Sequence, residues 1–155
     1  MDNFLQQFCQ QLINGVSLGS IYALIALGYT MIYGIIKLIN FAHGDIYMIG
    51  AYFGFFATTQ LGVGFIPAII IAMAGAAVVG IIIERIAYRP MRNAPRIAIL
   101  ITAIGVSFFL EYGMILLVSP QPRTFPAVFA PTVYHMGPLV ANSQQLVILI
   151  SALIL

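Results

Sequence analysis

The chain has 155 residues, of which 62% are hydrophobic and only 6% charged, with a formal net charge of +2. A soluble domain of this length carries roughly 25% charged residues to build its surface, so a water-soluble fold is excluded. The six basic residues, five of them arginine, are not interleaved with aromatics as a nucleic-acid surface would require.

Charges are absent between Asp2 and Lys37, between Asp45 and Glu84, and after Arg123. Crossing a hydrocarbon core of about 30 Å takes roughly 20 apolar residues as a helix. Five apolar segments therefore predict an all-α, polytopic membrane bundle, forming one domain with spans at about 12–36, 46–61, 65–83, 97–118 and 145–155. The second is short enough to be re-entrant. The fifth is cut off by the end of the chain, inside the apolar run QQLVILISALIL. No Lys or Arg precedes the first run, which is too long for a signal peptide and is expected to stay in the mature protein. Cys9 is the single cysteine, so no intrachain disulfide is possible, and no metal-ligand cluster is visible.

Within the first span Gly15, Gly19 and Ala23 recur at spacing four, as do Gly50 and Gly54 in the second. On a helix this spacing makes a groove that admits a neighbouring helix closely.

Between the first two spans comes IIKLINFAHGDIYMIGAY, which holds Lys37, Asn40, His43, Gly44 and Asp45. If the helix runs through, Asn40, His43 and Gly44 share a face, Tyr47 lies one turn beyond His43, and Asp45 points towards the side of Phe41 and Met48. Gly44 offers a place for the helix to break. Two readings stay open. A break at membrane depth would line a pathway with free backbone groups. A plain cytoplasmic turn would leave His43 solvated and Asp45 capping the second helix.

The segment 84–96, ERIAYRPMRNAPR, carries Arg85, Arg89, Arg92 and Arg96. Arginine-rich short loops stay cytoplasmic. The fourth span then runs outward, 119–143 is external, Lys37 is cytoplasmic and the N-terminus is external. Glu84 and Arg85, at the inner end of the third span, suit an interfacial ion pair or, with Arg89, a partner contact. Glu111 lies inside the fourth span, where it must reach the interface or find a partner. The external stretch holds Pro120, Pro122, Pro126, Pro131 and Pro138 and predicts a loop or short turns, either a connector or a lid.

The stretch YTMIYGIIKLINFAHGDIYMIGAY resembles the hallmark of the LivH-type permease family, the membrane subunits of branched-chain amino acid ABC importers. The flanking NGVSLGSIYALIALGYT, ERIAYRPMR and LITAIGVSFFLEY resemble the same family, which also includes urea and amide importers. The resemblance implies an ABC-importer permease fold with more spans than this chain holds. It implies a second permease subunit, two cytoplasmic ATPase subunits that carry the ATP hydrolysis, and a periplasmic binding protein that delivers leucine, isoleucine or valine. It places the protein in the bacterial inner membrane, surrounded by lipid, with no cofactor and no enzymatic activity of its own. Asn40, Phe41, His43, Gly44 and Asp45 occupy the motif positions, with Tyr47 beside them, and these are the candidates for the translocation path. Family members continue beyond this length, and no ATPase-coupling loop is visible here, so the chain is expected to be a fragment or a truncated product. Two other classes stay open: a small membrane-anchored interaction subunit of another complex, or a free-standing channel.

Overall fold

The computed structural model describes residues 2–37, 39–126, 132–136 and 139–155. The chain divides into two units, Met1–Lys37 with Phe129–Leu155, and Leu38–Val128.

In the first unit α1 runs Asp2–Ile36, and its 35 residues make it about 52 Å long at 1.5 Å per residue. It starts ten residues before the expected span, because the turns carrying Gln6, Gln7, Gln10 and Gln11 are polar yet good helix formers. Lys37 closes it in a left-handed conformation, φ 54°, which costs a residue bearing a Cβ about 1–2 kcal/mol. Two strands follow, β1 (Val133–Met136) and β2 (Leu139–Asn142), paired antiparallel with Tyr134 opposite Ala141. The stretch 119–143 is thus more than the loop its prolines suggest. β-Branched and aromatic residues such as Val133, Tyr134 and Val140 favour a ribbon here. Pro131 and Pro138 lie outside the described residues. Gln10 of α1 completes the ribbon's edge: its Nε2 donates to Val140 O at 2.8 Å, and its Oε1 accepts from Val140 N at 2.9 Å. The last helix, α5 (Ser143–Ile154), opens with an Asn142–Gln145 capping box. Gln145 also donates to Asn14 of α1 at 3.1 Å.

In the second unit α2 runs His43–Thr59 and α3 Phe65–Ile83. A π-helical turn, Glu84–Tyr88, extends α3, with Arg89 N bonded to Glu84 O at 2.7 Å. Short turns lead to α4, Arg96–Val118. Small residues build the α2–α3 seam. A methyl group added at Gly50 would lie 3.3 Å from Ala76 Cβ, and one at Gly54 would lie 3.5 Å from Ala72 Cβ. At Gly15 or Gly19 the same methyl meets nothing within 4 Å.

Three helical stretches, Phe4–Ile35, Phe65–Tyr88 and Arg96–Val118, are long and apolar enough to cross a membrane. Their apolar windows are only 6–11% buried, and side chains such as Phe109, Leu116 and Leu117 stand open. Water would penalise a surface of this kind heavily, whereas lipid tails are as apolar as the side chains themselves. At 17 residues α2 is about 25 Å long, short of a full hydrocarbon core.

Candidate functional site

The polar segment is organised by one amide. Asn40 Oδ1 accepts from Ala42 N at 3.1 Å, and Asn40 O accepts from His43 N at 3.2 Å. Asparagine competes well for nearby backbone donors, which favours a turn over a continuing helix. The helical run ends at Ile36 and resumes at His43. Asn40 therefore precedes α2 and does not share a helical face with His43 and Gly44. The interruption lies before Gly44, which sits in the first turn of α2. No side chain caps α2, whose N-cap is Ala42; Asp45 does not fill that role.

Asp45 instead turns to α4. Ser107 Oγ donates to Asp45 Oδ2. Ser107 is the midpoint of α4, about 16 Å from either end of that helix at 1.5 Å per residue. From the other side, Tyr88 Oη donates to Asn40 Oδ1 at 2.6 Å. The π turn inserts a residue, which rotates everything after it by about 100° relative to a continuous α-helix. Tyr88 is the last residue of that turn.

The six path candidates do not form one cluster. Asn40 and Asp45 are half-buried and tied to Tyr88 and Ser107, and His43 is half-buried beside them in sequence. Phe41 and Gly44 are exposed. Tyr47 lines an apolar groove of about 370 Å³ between α2 and α3, with Gly50, Gly54, Ala72, Met73 and Phe125. Phe125 packs edge-on against Phe55 at 6.0 Å. Arg123 stands 5.9 Å from the same ring and donates to Val118 O at 3.0 Å. Glu84, Arg85 and Arg89, the partner-contact candidates, are exposed, as is Glu111. Among the described residues no group of three His, Cys, Asp or Glu side chains gathers as a metal site would need.

Sequence reasoning missed Tyr88 and Ser107. A hydroxyl within an apolar span was the only available signal for Ser107, and many such hydroxyls simply bond their own helix, as Thr102 does to Ala98 O. Nothing in the sequence announces the π turn that ends at Tyr88.

A family model described as branched-chain amino acid transport system, permease component, matches residues 11–155. The chain is 50% identical over 134 residues to the high-affinity branched-chain amino acid transport system permease protein LivH of Salmonella typhimurium, covering 79% of this chain and 42% of that protein. It is 48% identical over 134 residues to LivH of Escherichia coli strain K12, with the same coverage. To BraD of Pseudomonas aeruginosa, a permease protein of the same printed function, it is 45% identical over 132 residues, covering 80% of this chain and 43% of that protein. The chain thus spans less than half the length of these relatives. No solved structure matches.

Proposed function

The chain belongs to the family of branched-chain amino acid transport system permease components, and from that premise we propose that it serves as a membrane permease subunit of an ABC importer for leucine, isoleucine and valine. The observation that carries the reading is 45–50% identity over about four-fifths of the chain to permeases of that named function. A second permease subunit completes the translocation path in the bacterial inner membrane. Two cytoplasmic ATPase subunits hydrolyse the ATP, and a periplasmic protein delivers the amino acid. The arginine segment 84–96 faces the cytoplasm and 119–143 the periplasm, with Glu84, Arg85 and Arg89 available to a partner subunit.

Within this chain, Asn40, Phe41, His43, Gly44, Asp45 and Tyr47 contribute to the path. A zwitterion needs a counterpart for each charge. The positive end of the α2 dipole, beginning at His43, suits a carboxylate, and the Asp45 carboxylate suits an ammonium group. The bond from Asp45 to the midpoint of α4 supports a location at membrane depth, where an ionisable side chain is costly unless it works. The apolar groove beside Tyr47 matches an aliphatic side chain in chemistry.

Deletion of the gene should abolish high-affinity leucine uptake in the parent cell, and re-expression should restore it. Indifference of uptake to deletion would refute the reading. For the orientation, Asn93→Cys and Thr132→Cys in a Cys9→Ser background should react with impermeant maleimide from opposite sides; labelling from one side overturns it.

A further inference from the structure

Two hydroxyls outside the proposed path hold its polar segment from opposite directions. Tyr88 Oη donates to Asn40 Oδ1, the same oxygen that takes the Ala42 N–H and so starts α2. Ser107 Oγ donates to Asp45 in the first turn of that helix. Tyr88 ends the π turn within the arginine segment, and its carbonyl accepts the Met91 N–H at 3.1 Å. We propose that Tyr88 and Ser107 are positioning residues forming a two-point clamp, through which residues 40–45 move together with the arginine segment and α4. The transport role of the clamp rests on the function proposed above.

The physical reason lies in the turn that precedes α2. Residues 39–41 belong to no helix, and Ile39 and Phe41 are 47% and 49% exposed. A displacement of the arginine segment therefore reaches Asn40 through Tyr88, and Asn40 relays it to the start of α2. Without Ser107, Asp45 loses a donor in a half-buried setting and is free to turn elsewhere. Neither Tyr88 nor Ser107 is itself a path residue; each acts through the path residue it holds.

Ala42 is fully buried, 0% exposed, so a thiol there reports opening of the turn. In membranes containing the whole complex, with Cys9→Ser and Ala42→Cys, Tyr88→Phe should raise the maleimide labelling rate about fivefold, the factor for one lost hydrogen bond. Ser107→Ala should do likewise, whereas Ser107→Thr should stay near the parent. Unchanged rates in both Tyr88→Phe and Ser107→Ala overturn the clamp. Should Ala42→Cys impair assembly, hydrogen exchange at the Ala42 and His43 amides gives the same readout without it. In leucine uptake, Tyr88→Phe should lower the maximal rate severalfold with KM little changed, because transmission of motion is lost and not substrate contact. An unchanged maximal rate beside faster labelling overturns the transport role. If the parent itself takes up no leucine, the functional reading falls and the transport role with it, while the labelling result still decides the clamp.

Discussion

Gly50 and Gly54 on α2 and Gly15 and Gly19 on α1 carry the same sequence pattern, yet the structure treats them differently. A methyl group added to the first pair would meet Ala76 at 3.3 Å and Ala72 at 3.5 Å. Added to the second pair, it would meet nothing within 4 Å. Small residues at spacing four permit close helix approach without selecting the neighbour. The neighbour is selected by connection: the few residues between α2 and α3 return the chain on itself, and Ala68, Ala72 and Ala76 then present a second small-residue face.

The contrast is sharpened most by Gly50→Leu. Its side chain would enter a space where even a methyl group is 3.3 Å from Ala76, at a cost of about 3 kcal/mol. The expected result is a drop of several degrees in the unfolding temperature of detergent-solubilised protein. Next in size is Asn40→Ala, which strips the acceptor from Tyr88 Oη and Ala42 N and should destabilise by about 2 kcal/mol. A cycle with Tyr88→Phe should show strong non-additivity; simple addition of the two effects would dissolve the polar link. Gln10→Ala removes both bonds to Val140. It should cost about 1 kcal/mol and speed hydrogen exchange at the Val140 amide, leaving the α2–α3 unit untouched. Smallest is Gly15→Leu, expected to shift the stability of the isolated chain by no more than about 0.5 kcal/mol. A large loss there would erase the difference between the two stripes.

The sequence and the structure agree best where the argument is about solvent. Charge-free runs made the helices legible, and α3 and α4 fall at Phe65–Ile83 and Arg96–Val118 against expectations of 65–83 and 97–118. Polarity hid the first turns of α1, since hydropathy marks what lipid tolerates and not where helical hydrogen bonding begins. The ribbon at 133–142 was obscured by surrounding prolines. In the polar segment the residue types were conspicuous, but their geometry was misjudged. Helical periodicity was applied across Asn40, whose side chain ends that periodicity by taking the Ala42 N–H.

Composition alone determined the solvent of this protein: a chain with 6% charged residues has too little polar surface to live in water, and its backbone must close its own hydrogen bonds as helices. Tertiary structure decided which polar groups meet. Asn40 and Tyr88 are 48 residues apart, Asp45 and Ser107 are 62 apart, and local preference carries no information over such separations. Those pairings depend on the α2–α3 seam, the π turn and the return of α4, each a consequence of packing between segments.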